Sequence, residues 1–317
     1  MPGFTTHYLF GLNTYKKLDP ADPMKKNISA HHAPYSLGLQ GPDIFFYFLP
    51  SYLIYEENPG SLAHISRINK FLRYLLKSAK LFPDQEESDI AKAYIMGFLG
   101  HYILDSKCHP YVYAKTHFTE RSSKYYGSHI NLEVDIDTEL LAFYKHKYPS
   151  AFRQESTIVL TKPQIDTIAN VLYYAYSKTY PELNIKYRTI RLAIRSMQLG
   201  TRLLRDPHGK KKILVRKIES IFIGFPVLSP MIASRRIRFY LDPLNVLHNT
   251  WCNPWAKDKV STQSFFDLLA SAEKKYMKIL DQSYHALESG NTESMNALLK
   301  SLGNRSYHSG LDSSIPS

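Results

Sequence analysis

The sequence predicts an all-α fold, a multi-helix bundle, and three observations carry that prediction. Apolar residues recur at spacings of three and four over long stretches, alternating β-branched runs are nearly absent, and segments rich in Pro, Gly and Asn separate the periodic stretches. With 317 residues, 44% of them hydrophobic, the chain can bury a sizeable core. It reads as one helical domain over residues 1–303 with a basic C-terminal half, followed by a flexible Ser-rich tail, residues 304–317.

The elements follow in order. Ser61–Lys80 carries Leu62, Ile65, Leu72, Leu75 and Leu76 on a helical repeat, with Ser61 as N-cap after Pro59 and Gly60. Ser88–Cys108 follows, with Ser88 as cap, Asp89 favourable in the first turn and Pro110 as terminator. Gly127–Lys147, Gln164–Tyr180, Ile185–Arg205 and Ser261–Leu287 complete the helices, and no internal repeat is visible.

Several function classes lose support at once. The longest uncharged apolar stretch, Ile221–Ala233, contains Pro226 and Pro230 and falls short of the roughly 20 residues a membrane-spanning helix needs. The N-terminal MPGFTTHYLFG has no basic region leading into an apolar one with a cleavage site, so no export signal is expected. Only Cys108 and Cys252 are present, which excludes a disulfide framework and favours a reducing compartment. A cytoplasmic protein, with peripheral membrane contact as an option, is the expectation. No GxxxxGK[ST], GxSxG, HExxH or CxxC occurs, so nucleotide-driven and serine-hydrolase mechanisms have no support.

Charge and histidine divide the chain differently. Residues 1–150 hold 16 Lys+Arg against 15 Asp+Glu, whereas residues 151–317 hold 24 against 13. Lys186–Arg238 alone has 14 basic and 2 acidic residues. Nine of the 13 histidines fall at or before His146. One half is equipped for metal chemistry, the other for an anionic partner.

The metal reading begins with HYILD and HINLE, in which His101/Asp105 and His129/Glu133 each lie four apart on one helix face. Chance gives about one His with an acid at that spacing, and the sequence has three, including His308/Asp312 in the tail. Taken singly, each pair reads first as a helix-surface hydrogen bond. Context adds weight: Ile95, Met96, Phe98, Leu99, Ile103 and Leu104 surround His101, so a histidine and carboxylate buried there need partners or a metal. His109 follows at a Cys-His-Pro turn, His7 sits in an apolar N-terminal segment, Asp43 follows Gly41-Pro42, and His64 lies on the helix begun at Ser61. Imidazole and carboxylate are both zinc ligands.

The ordered set His7, Asp43, His64, His101, Asp105, His109, His129, Glu133 resembles the ligand series of the bacterial zinc-dependent phospholipases C, an all-α family with a three-zinc site. The resemblance covers roughly the first 140 residues, and its specificity lies in the order of eight members. The phrases LGLQGPDIFFY and LNVLHNTWCNPW also look like members of this group, extending it to Trp255. It implies Asp43, His64, His101 and Asp105 on one zinc, with Asp105 bridging to a second held by His7, and His109, His129 and Glu133 on a third. It further implies Asp43 as the catalytic carboxylate that orients or deprotonates water; the alternative is a helix cap. Secreted members supply a ligand from a processed N-terminal Trp, and this chain begins Met-Pro-Gly-Phe, so two or three Zn2+ ions are expected. Closely spaced metals suit phosphodiester hydrolysis. The expected activity is therefore zinc-dependent phospholipase C, releasing a phosphorylated headgroup from phospholipid.

The basic half offers Arg188, Arg191, Arg195, Arg202 and Arg205 as a helical stripe, then Lys210, Lys211 and Lys212, with Phe222, Phe225 and Leu228 as shallow anchors. Lys186–Arg238 thus reads as a contact to an anionic membrane surface, or as a solvated basic face. Two rivals stand beside the lipase. The zinc-dependent single-strand nucleases are similar in fold and ligands, and 24 Tyr with 16 Phe can stack bases. The other is a non-catalytic helical lipid-binding protein. Lesser candidates remain open: Cys108 as ligand or buried thiol, Trp251 and Trp255 as cleft walls or packing, His248 as a supporting donor or core residue, His31 and His32 as substrate contacts or exposed loop, and Glu56 and Glu57 as site or solvated acids.

Overall fold

The computed structural model describes residues 3–118, 125–222, 228–232 and 239–314. Among these are thirteen α-helices and one small hairpin, in agreement with the all-α expectation. The N-terminal helices are α1 Phe4–Lys17, α2 Pro23–Ala30, α3 His32–Gly38, α4 Ser51–Ile54, α5 Pro59–Ile65 and α6 Ile68–Lys77, with a 3₁₀ turn at Gly41–Phe45 between α3 and α4. Then come α7 Gln85–Lys115, α8 Tyr125–Lys145, α9 Lys162–Thr179, α10 Tyr187–Leu204 and α11 Lys210–Phe222. Strands β1 Trp251–Asn253 and β2 Ala256–Ser261 form the hairpin, and α12 Phe265–Ser289 and α13 Thr292–Leu302 close the bundle.

The organising element is α7. Its apolar residues lie all round its circumference, the pattern of a helix buried on every side, and nearly every side chain from Ile90 to Tyr113 is buried. At 31 residues it is about 46 Å long. It packs on α1, α3, α9 and α12, with Tyr276 of α12 donating to the Met96 carbonyl at 2.9 Å.

Boundaries differ from the sequence reading for local reasons. Asn58, not Ser61, caps α5, its side chain accepting from Gly60 N–H at 2.8 Å, and Pro59 at the first helical position is pre-set for the turn. The expected single helix Ser61–Lys80 is two, because Arg67 adopts a left-handed φ of 51° and hydrogen bonds the Thr179 carbonyl at 2.9 Å. Asp84 displaces Ser88 as cap of α7, accepting from Glu87 N–H at 3.0 Å. Pro110 does not terminate α7, which continues to Lys115; it removes one helical bond, the one to the Ser106 carbonyl. Ser261 ends β2, and α12 starts later behind a Ser264/Asp267 capping box. Residues 304–314 are not a flexible tail. Tyr307 is 1% exposed and the segment lies against α7.

Helix α1 is capped from a distance. Its own cap, Gly3, has no side chain to offer, and Asp137 of α8 accepts instead from Thr5 N–H at 3.0 Å, Thr6 N–H at 2.8 Å and the Thr6 hydroxyl at 2.6 Å. These are the free donors of the first turn. Asp137→Ala removes the cap, and denaturant unfolding is expected to show a loss of about 1–2 kcal/mol; unchanged stability would contradict it.

Candidate metal centre

Four elements converge at the middle of α7. Helix α1 brings His7, the 3₁₀ turn brings Asp43, α5 brings His64, and α7 itself presents His101, Asp105 and His109 at successive four-residue steps. Helix α8 adds His129 and Glu133. All eight are buried, so the structure gathers the whole predicted set. Gly41 makes part of this possible. It has φ +53°, and a Cβ there would lie 2.3 Å from the His101 ring, so the turn carrying Asp43 sits flush against that ring.

Asp105 is central. Its Oδ1 lies 3.0 Å from His7 Nε2, while its Oδ2 lies 3.2 Å from His101 Nε2, 3.5 Å from His64 Nε2 and 3.7 Å from His109 Nδ1. Asp43 Oδ1 is 3.5 Å from His64 Nε2 and 3.8 Å from His101 Nε2. His129 Nε2 and His109 Nε2 approach Glu133 Oε1 at 2.8 and 3.8 Å. The ligand atoms form three groups, each within 4.8 Å: His7/His101/Asp105, Asp43/His64/His101 and His109/His129/Glu133.

The far side of most rings is fixed. His64 Nδ1 pairs with the Gly60 carbonyl at 2.6 Å, His101 Nδ1 with Leu39 at 3.1 Å, and His109 Nδ1 with Tyr307 at 2.7 Å. A carbonyl can only accept, so each Nδ1 donates and each Nε2 faces inward, presenting a lone pair whenever the ring is neutral. Those inward atoms make no hydrogen bond: His7 Nε2, His64 Nε2, His101 Nε2, His109 Nε2, Asp43 Oδ1 and both Asp105 oxygens are buried without one. Buried polar atoms are paired in ordinary cores. This donor set, nitrogen lone pairs and carboxylate oxygens aimed at shared points, fits divalent zinc.

Electrostatics agree. Burial pushes His7, His109 and His129 below the ordinary histidine range, the form that binds metal. His64 differs: burial opposes its charge, but the Asp105 and Asp43 carboxylates outweigh that and raise its pKa to about 9. Asp105 is held well below the carboxylate range, the surrounding His101, His109 and His7 overcoming the burial that would raise it.

The centre opens on a cavity of about 350 Å³ lined by Asp43, His64, His129, Glu133 and His308 on its polar side. Phe4, Phe46, Ile130, Val134, Met197, Leu204 and Met231 form apolar walls. His308 and Tyr307 were missed. The one signal for His308 was an acid four residues on, Asp312, which in the structure accepts from Asn304 and Ser314; Tyr307 gave none.

The lesser candidates separate. Cys108 is a buried thiol whose pKa burial raises, outside the three groups. Trp255 backs the cavity through Tyr113, ring centroids 4.9 Å apart, whereas Trp251 packs on Tyr111 at 5.5 Å. His248, exposed, pairs with the Thr262 carbonyl, and His31, His32, Glu56 and Glu57 do not line the cavity.

A family model described as zinc dependent phospholipase C matches residues 6–183, more than half of the chain. No curated protein and no solved structure matches it.

In the metal-free protein His64 carries a proton where a cation would sit. With a folded pKa of about 9 above the ordinary 6.5, its stabilising contribution is complete below pH 6.5 and lost as pH rises through 9. Zinc must displace that proton. Calorimetry at pH 7.5 in two buffers of different ionisation enthalpy is expected to show about one proton released at this group, and acidification to pH 5 to strip the metal. Zinc uptake without proton release would refute the assignment.

Proposed function

The chain belongs to the zinc-dependent phospholipase C family, and from that premise we propose that it is a phosphodiester hydrolase that releases a phosphorylated headgroup from phospholipid, leaving diacylglycerol. The observation that carries the reading is the setting of metal-competent His and carboxylate groups in the floor of a cavity whose walls are apolar. Asp43, His64 and His101 would hold one zinc together with Asp105 Oδ2, and His7 with Asp105 Oδ1 a second; His109, His129 and Glu133 would hold a third. The separate contacts of the two Asp105 oxygens support that division.

Zinc, when bound, supplies Lewis-acid stabilisation of phosphoryl charge and a more acidic water. Asp43 is the proposed general base. It reaches the cavity, unlike fully buried Asp105 and His101, and can orient the attacking water and take its proton. The new bond joins water oxygen to phosphorus, the bond from phosphorus to the glycerol oxygen breaks, and that oxygen leaves as the alcohol on taking a proton from solvent, to which Asp43 in turn returns the one it accepted.

Cavity size argues for an interfacial enzyme. Some 350 Å³ suits a headgroup and glycerol but not two acyl chains as well. The chains must stay in the lipid layer, so the mouth must meet it. Tyr52 and Leu204 line the cavity, and their neighbours Leu53 and Leu203 are 91% and 58% exposed. On α11, Ile213, Leu214, Ile218, Ile221 and Phe222 are exposed between Lys210, Lys211 and Lys217, the mixture that seats a helix on anionic headgroups. The stripe on α10 is reduced, because Arg191 pairs with Asp166 at 2.8 Å, and Lys212 is buried and unavailable to lipid. Leu228 is exposed; Phe225 lies outside the described residues.

Zinc-loaded protein should release phosphocholine from phosphatidylcholine in mixed micelles and leave single-stranded DNA intact. His101→Ala and Asp43→Asn are each expected to reduce turnover by about a thousandfold, with zinc content falling in the first. DNA cleavage with no ester hydrolysis would move the chain to the nuclease reading. Leu53→Asp is expected to cut activity on anionic vesicles about tenfold and to spare a soluble short-chain ester; equal loss on both substrates would refute the interfacial role.

A further inference from the structure

Residues 304–314 cross the metal centre as a strap with specific attachments. Asn304 Oδ1 accepts from Asn69 N–H at 3.2 Å, Arg305 N–H donates to the Tyr102 hydroxyl at 2.9 Å, and Asn253 Nδ2 donates to the Ser309 carbonyl at 2.9 Å. The Arg305 guanidinium closes the turn onto the Gly310 carbonyl at 2.9 Å. Gly310 itself has φ +65°, and a Cβ there would lie 2.4 Å from the Ser106 carbonyl oxygen. That carbonyl is the one Pro110 leaves without its helical donor. The strap therefore seats where the hydrogen bonding of α7 is interrupted.

Its next residues touch the site. Tyr307 N–H donates to the His64 carbonyl at 3.1 Å and Tyr307 O accepts from His109 Nδ1 at 2.7 Å, so one residue ties together ligand candidates of two metal groups. His308 follows, its ring centroid 5.8 Å from His64, 5.7 Å from His109 and 5.3 Å from Tyr113. It lines the cavity beside Asp43, His129 and Glu133 yet belongs to none of the three ligand groups. It also lies far beyond residues 6–183, the part that matches the family. Its ring thus borders the cavity between His64 of one group and His109 of another.

We propose that His308 contacts the substrate, donating an imidazole N–H hydrogen bond to a non-bridging phosphoryl oxygen, and that the strap holds it there. The inference rests on the phosphodiesterase reading but concerns phosphate recognition, which all phosphodiesters share. Inorganic phosphate is the probe, titrated calorimetrically into the zinc-loaded full chain. His308→Ala is expected to weaken binding about tenfold, the loss of one hydrogen bond to a charged group, with zinc content unchanged by elemental analysis. His308→Gln, which keeps an N–H donor, should restore most of the affinity. Gly310→Val, which lifts the strap from Ser106, should weaken phosphate as His308→Ala does while the helical circular dichroism persists. Unchanged phosphate affinity in His308→Ala, or zinc loss making His308 a ligand, would overturn the proposal; so would full affinity in Gly310→Val. A wild-type protein that binds phosphate through His308 but hydrolyses no phospholipid supports this inference and sinks the phospholipase reading.

Discussion

A carboxylate with no access to water, Asp105, sets the terms for the rest of the molecule. Its two oxygens accept no hydrogen bond, and its neighbours His7, His64 and His101 turn their Nε2 atoms toward it. A buried ion left in that condition costs several kcal/mol, and a core of apolar residues would have been more stable. Such a cluster persists only if something else shares the cost. A divalent cation does so directly, replacing lost hydration with coordination.

The fold serves that constraint through backbone geometry. One helix carries three of the groups at four-residue steps, so His101, Asp105 and His109 need no independent positioning. The remaining groups arrive on separate elements, and three of the rings are anchored away from the metal side: His64 to its own helix at Gly60, His101 to the end of α3 through Leu39, His109 to the strap through Tyr307. Backbone carbonyls are fixed in place by secondary structure. Using them as the second partner of these three imidazoles ties ring orientation to the backbone, whereas His7, whose Nδ1 has no hydrogen-bond partner, is placed by α1 and so depends on that helix's remote cap, Asp137.

The legible part of this design was the part written at short range. Four-residue spacing put His101 with Asp105 and His129 with Glu133, and apolar periodicity on all sides of α7 marked it as buried. Helix starts were read less well, because a cap is decided by which of several nearby polar residues reaches the first free N–H groups: Asn58 and Asp84 do so, Ser61 and Ser88 do not. Pro110 was misread since a proline removes one helical hydrogen bond without ending the helix, and the freed Ser106 carbonyl faces Gly310, where no side chain intrudes. Residues 304–314 looked like a tail because serine, glycine and asparagine are what turns are also made of. Nothing local distinguishes a polar segment in solvent from one pinned by Tyr102, Asn69 and Asn253, all remote in sequence.

Charge balance explains why metal and substrate binding belong together. The centre contains three carboxylates, Asp43, Asp105 and Glu133, while burial pushes His7, His109 and His129 toward their neutral form and the neighbouring carboxylates raise His64 to about 9. Such a floor is net negative and repels a phosphodiester, however basic the rest of the protein. The cations of α10 and α11 cannot correct this from the surface, since their field in solution is screened beyond roughly 8–10 Å. They can concentrate a charged lipid surface outside the mouth, whereas only cations inside the cavity reverse the sign of its floor. Two divalent ions suffice to reverse it and three make it strongly attractive. Under the proposed function, phosphate affinity is thus conditional on metal occupancy, with surface cations outside the mouth and metal charge within acting at different depths.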